Sequence, residues 1–234
     1  MEIIYVLVEP SVAENIGAAA RAIKTMGFSR LRLVNPNGHL TGPAKWMAHG
    51  SNDILENAGI FSTFNEAVND VDLVVGTTAK KRIVKNDYLP ASALPEIIRQ
   101  KGSAVKAVAV VFGREDSGLR NEELKRCDII TTIPLKTSFP SLNLSQAVMI
   151  YAYVLSGLIS EPNEDVNIRD TEGLKILKQK VSDILLSLGF SETSAIYPRI
   201  LERLMFMKEG DIHLLHSICN KFIAEKKSVT DATQ

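Results

Sequence analysis

Short apolar runs alternate with amphipathic segments along the first 160 residues. The runs are rich in valine and isoleucine, which is typical of strands buried on both faces. The segments between them repeat apolar residues at helical spacing. This alternation predicts βα units and an α/β fold with a mostly parallel sheet. The predicted strands are Ile3–Val8, Leu31–Val34, Leu73–Gly76, Val105–Phe112 and Ile129–Ile133. The predicted helices are Glu14–Met26, Pro43–His49, Ala93–Lys101, Asn121–Cys127 and Leu144–Ile159.

The pattern changes near residue 160. Residues 161–170 are polar and contain a proline, which indicates a linker. Beyond them the pattern is helical only, over Thr171–Leu188, Tyr197–Met207 and Asp211–Lys226. We therefore expect four parts: a first domain at 1–160, a linker at 161–170, a small all-helical C-terminal domain at 171–227 and a polar tail at 228–234.

Composition narrows the class of protein. The 234 residues are 45% hydrophobic, and no apolar run reaches the length of a membrane span. No charged leader with a cleavage site precedes the first strand, and the two cysteines have no partner spacing, so we expect a cytoplasmic protein with reduced thiols. The four histidines form no zinc pattern. The balance of 27 basic and 27 acidic residues argues against broad coating of nucleic acid, but it allows an enzyme with a local basic patch.

The first segment that could carry chemistry is the start of the first predicted helix, Glu14–Ala22. Gly17 and the alanines after it give a slim surface that another backbone can approach closely. Arg21 follows Gly17 by one turn, on the same side of the helix. An arginine beside such a surface near a helix N-terminus suits phosphate or carboxylate recognition. An ordinary surface arginine on an alanine-rich packing helix explains the same pattern.

Three more segments follow predicted strands. Gly76–Arg82 combines small residues with adjacent cations, which suits the phosphates of a polyanion, although a solvated loop has the same composition. In Phe112–Leu119, a glycine at the strand end permits close approach of a ligand. In Ile133–Val148, a polar loop leads into a long helix that Ser141 or Asn143 could cap. Ligands of open α/β sheets bind at this edge, where strands end and helices begin.

These segments carry a resemblance. The sequences ENIGAAARA at 14–22, VFGREDSGL at 111–119 and IPLKTSFPSLNLSQAV at 133–148 resemble the three motifs of the SpoU/TrmH family of RNA 2′-O-ribose methyltransferases. Order and spacing agree with that family from residue 1 to about 160. The stretch Trp46–Ser51 and the helical tail are more similar to its TrmJ/LasT branch of tRNA and rRNA methyltransferases.

The resemblance implies a SPOUT-type fold with a trefoil knot near the C-terminal end of the first domain. It implies a homodimer, with Gly17–Ala20 and the helix Leu144–Ile159 as interface pieces. It also implies S-adenosylmethionine as the cofactor, bound by three loops that the knot gathers. No metal is expected, because the sulfonium of this cofactor already supplies the electrophile. The implied cofactor-binding residues are Gly76, Thr77, Thr78, Ala79, Gly113, Ile133, Ser141, Leu142 and Asn143.

The resemblance further implies catalytic roles. Arg21 is the central residue, which the family uses as a base or as part of one. A guanidinium has a pKa above about 12, so we expect it to clamp the substrate phosphate and orient the 2′-hydroxyl instead. Asn15 and Asn143 would fix that arrangement through hydrogen bonds, and Glu115 and Ser141 would order the site. The implied RNA-binding residues are Arg21, Lys80 and Arg82.

The expected substrate is tRNA, at the anticodon loop by analogy with the TrmJ branch. An rRNA methyltransferase is one alternative, and an RNA-binding protein with lapsed catalysis is another. A small-molecule α/β enzyme is a third, which the absence of a GxGxxG loop or P-loop disfavours. The helical tail suits either tRNA contact, with Arg199, Arg203 and Lys208 as the candidate residues, or simple packing or dimer support.

Overall fold

A computed structural model describes residues 1–80, 87–137, 141–159 and 173–231, with side chains up to residue 226. Its strands are β1 (Glu2–Val8), β2 (Arg30–Val34), β3 (Gly59–Phe61), β4 (Leu73–Thr77), β5 (Tyr88–Pro90), β6 (Ala107–Phe112) and β7 (Ile129–Thr132). Its α-helices are α1 (Ala13–Thr25), α2 (Gly42–Ala48), α3 (Asn52–Glu56), α4 (Phe64–Val68), α5 (Leu94–Arg99), α6 (Asn121–Arg126), α7 (Leu144–Ser156), α8 (Leu174–Ser187), α9 (Ile196–Leu204) and α10 (Glu209–Asp231). Short 3₁₀ helices cover Ala91–Ala93 and Gly102–Ala104.

Every predicted strand and helix overlaps an observed one. The strands and α-helices that the sequence pattern did not predict are β3 and β5, of three residues each, and α3 and α4, of five residues each. Elements this short cannot establish a periodic pattern of apolar positions. Helix α4 does carry a local signal, because Thr63 and Glu66 form a capping box at its start.

The strands form one seven-stranded sheet in the order β3-β2-β1-β6-β4-β7-β5, and every pairing is parallel. This confirms the predicted α/β class. The strands β6, β4 and β7 are neighbours, so their carboxyl ends lie side by side at one edge of the sheet.

Alternate residues of a strand face opposite sides of a sheet. Val6 of β1 belongs to a core cluster with Phe64 of α4 and Leu124 of α6. Tyr5, its neighbour, is fully buried and stacks on Phe112 with 6.4 Å between ring centroids. Both sides of β1 are therefore covered, as the unbroken apolar run predicted.

Helices α1 and α2 approach each other closely at Gly17. A Cβ at this position would overlap the backbone carbonyl of Ala44 in α2. The slim surface predicted for this stretch is confirmed, and its partner is the chain's own second helix. Gly17, Ala19 and Ala20 are buried within the chain. The expectation that Gly17–Ala20 meets a second copy is therefore wrong.

The contacts divide the chain into two compact units, of which the second is discontinuous. The first comprises Met1–Glu96 and Lys106–Glu164, and the second joins Ile97–Val105 to Asp165–Gln234. The predicted linker at 161–170 lies outside the described residues, and the domain boundaries stay predictions.

Two polar contacts hold the short segment of the second unit to its C-terminal helices. Lys101 is buried and donates to the carbonyl oxygen of Met207 at 2.6 Å. Ser103 donates its backbone N–H and its hydroxyl to the Glu209 carboxylate, at 2.8 and 2.5 Å. Burial lowers the pKa of the Lys101 ammonium to about 8, because the charged form is poorly solvated there.

The C-terminal helices bury a stripe of apolar residues at helical spacing in α8, as the sequence pattern predicted. Of the tail cations, Arg199 lies 3.4 Å from the carboxylate of Glu202, which is buried. Arg203 and Lys208 are exposed. Within the described ranges, no helix has the length and apolar character needed to cross a membrane. The predicted trefoil knot would involve the loop that includes residues 138–140. These residues lie outside the described ones, so the knot stays a prediction.

Gly17→Ala is expected to lower the free energy of unfolding by about 2 kcal/mol. The added methyl gains about 1 kcal/mol of helix propensity, but it must displace the backbone of α2, and overpacking of this kind outweighs that gain. Urea denaturation measures the difference. Gly157→Ala is the matched control, because no atom lies within 4 Å of a Cβ there. Equal stability of the two variants would contradict the close helix contact.

Lys101→Met is expected to change the pH dependence of stability. The folded chain holds the pKa of Lys101 near 8, against about 10.4 in an unfolded chain, so the unfolded state binds more protons between these values. Wild-type stability should therefore rise relative to the variant by up to about 3 kcal/mol as pH increases from 7.5 to 10.5. Urea titrations across this range measure it, with Lys106→Met as the control for a lost exposed charge. A constant difference would contradict the buried ammonium.

Candidate active site

A cavity of about 450 Å³ opens where β4, β6 and β7 end. This volume is ordinary for a small-molecule site, for which roughly 300–1,000 Å³ is typical. Three loops border it, and α7 closes the remaining side. The lining residues are Thr77, Thr78, Ala79, Lys80, Phe112, Gly113, Arg114, Glu115, Asp116, Ser117, Gly118, Ile133, Leu135, Ser141, Leu142, Leu144, Ala147 and Tyr151. The three loops expected to meet are therefore together in the structure.

The inner wall of the cavity is aromatic. Phe112 and Tyr151 meet edge to face, with 5.4 Å between ring centroids. The Thr131 hydroxyl donates to the carbonyl of Gly76 at 3.3 Å and lies 2.7 Å from the hydroxyl of Tyr151. Because Thr131 has one proton to give, Tyr151 is the donor in the second bond. Burial raises the pKa of Tyr151 to about 12, so the hydroxyl keeps its proton near neutral pH.

Helix α1 begins without a capping side chain of its own, since its N-cap residue is Val12. The carboxylate of Glu115, distant in sequence, instead binds the two residues that precede the helix and one side chain of its first turn. One oxygen accepts from the N–H and hydroxyl of Ser11, at 3.1 and 3.0 Å. The other accepts from the N–H of Val12 at 3.2 Å and the side-chain amide of Asn15 at 3.1 Å. A negative charge here also complements the helix dipole. The loop after β6 is thereby fixed to the start of α1.

Asn15 extends this network to the third loop. The side-chain amide of Asn143 donates to the side-chain oxygen of Asn15 at 2.8 Å. The oxygen of Asn143 accepts from the N–H of Ser145 at 2.8 Å and, with Gln146, caps α7. This confirms Asn143 as the cap of the long helix. Segments from all three motifs are thus joined by side-chain hydrogen bonds beside one cavity.

The hydrogen bonds also decide what Glu115 can do chemically. Burial alone would raise the pKa of this carboxyl, but the bonds from the Ser11 N–H, the Asn15 amide and the Val12 N–H lower it below its ordinary value. A carboxylate with both oxygens occupied and a lowered pKa is a poor proton acceptor near neutral pH. Both oxygens of Glu115 are thus engaged within the chain, and its expected role in ordering the site stays a prediction.

Most of the predicted cofactor-binding residues line the cavity. Two of them lie elsewhere. Gly76 is inside β4, where a Cβ would crowd the sulfur of Cys127, and Asn143 is hydrogen-bonded to Asn15 beside the cavity. Gly113 lines the cavity for a different reason than expected. The backbone that approaches it too closely for a Cβ is that of Gly118 and the following residue, not that of a ligand.

The predicted RNA-binding residues are less closely grouped. Arg21 is exposed on α1 and is about 9 Å along the helix axis from Asn15, as the rise per residue implies. It does not line the cavity, and it makes no ion pair within the described ranges. Lys80 is exposed and borders the cavity. Arg82 lies outside the described residues. In the parts of the chain that the structure covers, no three His, Cys, Asp or Glu side chains form a metal-binding cluster.

Sequence reasoning missed several residues of the cavity wall, among them Arg114 and Tyr151. Arg114 is held between the carboxylates of Glu9 and Glu123, which come from distant segments. Its only sequence signal is a charge directly after a strand-end glycine. Tyr151 gave a weaker signal, a hydroxyl on the buried face of an otherwise apolar helix.

Comparisons with known proteins agree with this arrangement. Residues 2–153 match the model of the SpoU rRNA methylase family. Residues 171–226 match the model of the C-terminal domain of the tRNA/rRNA methyltransferase LasT. Together the two matches cover both the cavity-bearing part of the chain and the helical part.

Individual relatives match over most of their length. The Escherichia coli (strain K12) protein named "Uncharacterized tRNA/rRNA methyltransferase LasT" is 42% identical over 93% of this chain and 96% of its own. The tRNA (cytidine-2′-O-)-methyltransferase TrmJ of Methanocaldococcus jannaschii is 33% identical over 77% of this chain and 80% of its own. A solved structure of a probable methylase family protein from Haemophilus influenzae is 33% identical, with a TM-score of 0.65 over 99% of this chain and 98% of its own.

Glu115→Gln is expected to lower the free energy of unfolding by about 1–3 kcal/mol. The glutamine amide has a single acceptor oxygen. Its NH₂ group would face N–H donors of Ser11 or of Val12 and Asn15, which would lose their acceptor. Thermal and urea unfolding measure the loss. Asp116→Asn is the matched control, since Asp116 is exposed and its carboxylate accepts from the hydroxyl of the adjacent Ser117, so a change within about 0.5 kcal/mol is expected. Equal effects of the two substitutions would refute the view that Glu115 anchors the segment before α1.

Proposed function

The chain belongs to the SpoU rRNA methylase family, and from this we propose that it transfers a methyl group from S-adenosylmethionine to the ribose 2′-hydroxyl of an RNA. The observation that carries the proposal is the hydrogen-bonded trio of Glu115, Asn15 and Asn143. It binds one residue from each of the three motifs beside a single cavity. The relatives' names, which include methyltransferases acting on tRNA, support the proposal.

The cavity suits the proposed cofactor. Its volume accommodates a molecule of this size, and its walls combine apolar side chains such as Ile133 and Leu142 with polar loop segments such as Thr77–Lys80. When bound, the cofactor supplies a methyl group on a positively charged sulfur. The apolar walls exclude water from that group, and the loops fix its direction.

Arg21 is the residue proposed to act on the substrate. Its guanidinium is exposed and unpaired within the described ranges, so it can receive a phosphate group without losing an internal partner. It remains charged at any ordinary pH and holds the phosphate next to the reacting ribose, which orients the 2′-hydroxyl. Lys80, at the edge of the cavity, and Arg82 are proposed to contact other phosphates of the same RNA.

We propose tRNA as the substrate, and the anticodon loop as the region modified, by analogy with the TrmJ branch. The name of the M. jannaschii relative, a tRNA methyltransferase, supports tRNA over rRNA. The proposed catalytic domain comprises residues 1–160, and the helical domain at 171–227 is proposed to contact tRNA through Arg203 and Lys208. Like the tRNA that it modifies, the protein is proposed to be cytoplasmic.

We further propose that the protein acts as a homodimer. Exposed apolar side chains support this, because Trp46 of α2 is 77% exposed and Tyr153 of α7 is 69% exposed. Contiguous exposed apolar patches mark interaction surfaces, and the helices that carry these two side chains both pack against α1. Sedimentation equilibrium measures the assembly state.

The decisive experiment offers labelled S-adenosylmethionine and, separately, unmodified tRNA and rRNA to the protein. A 2′-O-methyl group blocks alkaline cleavage, so label should remain in one alkali-stable dinucleotide of tRNA. Arg21→Ala is expected to lower kcat by about 100-fold or more, because a preorganised charge contact is lost, while cofactor affinity changes less than about threefold. Lys24→Ala removes another exposed cation of α1 and should retain the wild-type rate within about threefold.

Each other outcome has a definite meaning. Label on rRNA alone would replace the proposed substrate. Cofactor binding without transfer to either RNA would favour the lapsed RNA-binding protein. A wild-type rate in Arg21→Ala would reject the role of Arg21.

A further inference from the structure

Arg114 is the most fully engaged charged side chain of the cavity wall. Its Nε and one terminal nitrogen donate to the two oxygens of Glu9, at 2.8 and 2.6 Å. Its two terminal nitrogens also donate to the two oxygens of Glu123, at 3.1 and 2.9 Å, and one of them donates to the carbonyl of Gly118 at 3.2 Å. These bonds use all five N–H groups of the guanidinium.

The partners of Arg114 come from three places in the fold. Glu9 follows β1, Glu123 is on α6, and Gly118 closes the same loop that Arg114 begins. The loop is a tight one, since the backbone N–H and carbonyl of Arg114 both bond to Gly118. The side chains of Arg114 and Glu123 are only 10% and 11% exposed. The ion pair between Arg114 and Glu123 is therefore shielded from water, and breaking it leaves a largely buried charge without its partner.

Arg114 and Glu115 both bind the segment that connects β1 to α1. Arg114 binds Glu9, and Glu115 binds Ser11 and the residues after it. The Glu9 carboxylate thus pairs with the positive charge of Arg114, and the N–H groups of Ser11 and Val12 bind the negative charge of Glu115. Two adjacent side chains therefore attach the cavity wall at 114–118 to the segment before α1.

We propose that Arg114 is a positioning residue for the cofactor: clamped between Glu9 and Glu123, it fixes the 113–118 wall of the cavity in the shape that binds S-adenosylmethionine. The inference rests on the proposed function, since it assigns the cavity to that cofactor. Arg114 acts through the loop backbone and through Glu115, and its own donors are already occupied within the chain.

Arg114→Lys tests this assignment, because an ammonium keeps the charge but cannot bind two carboxylates in parallel. Arg120→Lys is the matched control. It is the same substitution six positions along, on a side chain that is 61% exposed and reaches Glu9 by one bond of 3.3 Å. Both variants and the wild type are compared by calorimetric titration with S-adenosylmethionine, by steady-state methyl transfer and by thermal unfolding.

At 20 °C, well below unfolding, Arg114→Lys is expected to raise the Kd and the KM for S-adenosylmethionine about tenfold, while kcat at saturating cofactor stays within about threefold of the wild-type value. Arg120→Lys should leave the Kd, KM and kcat within about twofold. A merely structural role would lower the unfolding temperature of Arg114→Lys without moving Kd or KM at 20 °C, and this result would overturn the proposal.

Glu9→Gln provides a second route if Arg114→Lys does not fold. It keeps the size of the side chain and removes one of the two charges that hold Arg114, so the Kd for S-adenosylmethionine should rise several-fold. An unchanged Kd in this variant would overturn the proposal. If the wild-type protein itself binds no S-adenosylmethionine, the proposed function fails together with the inference. If the wild type binds and Arg114→Lys binds equally well, the inference alone fails.

Discussion

The site depends on one carboxylate. Glu115 accepts from the backbone N–H groups of Ser11 and Val12, just before α1, and one of its oxygens also accepts from the side chain of Asn15. Asn15 in turn meets Asn143, which begins α7. The N-termini of α1 and α7 are thus connected through hydrogen bonds that begin at Glu115, in the loop between β6 and α6. The same hydrogen bonds occupy both oxygens of this carboxylate and hold its pKa below the ordinary value.

The parallel sheet explains why this arrangement is possible. β6 has β1 on one side and β4 on the other, so the loop after β6 lies between the loop after β1 and the loop after β4. One neighbour receives Arg114 and Glu115, and the other contributes Thr77 and Thr78 to the same cavity. Aromatic rings continue inward from the cavity, from Tyr151 to Phe112 and then to Tyr5. The floor of the site is therefore continuous with the core.

The sequence predicted what periodicity and motif spacing can carry. Buried parallel strands are recognisable as unbroken apolar runs, and long helices are recognisable by the spacing of their apolar residues. The α/β class and most element positions could therefore be predicted. The motif residues Asn15, Glu115 and Asn143 were also found, because their segments resemble a known family. The pairing of Arg114 with Glu9 and Glu123 could not be predicted, since each partner is an ordinary charged residue in its own segment. The wrong prediction for Gly17 had a similar cause. A slim helix surface indicates that another backbone packs closely against it, but it does not indicate whether that backbone belongs to the same chain or to a second copy.

The discontinuous second unit has a consequence for how the protein is made. Lys101 and the carbonyl of Met207 are 106 residues apart in sequence. At synthesis rates of roughly 5–20 residues per second, on the order of 5–20 s pass between the synthesis of Lys101 and that of Met207. β6 and β7 are synthesised early in that interval, so every strand of the sheet exists before the partner of Lys101 does. The first unit therefore has all its strands while the second still lacks its C-terminal helices.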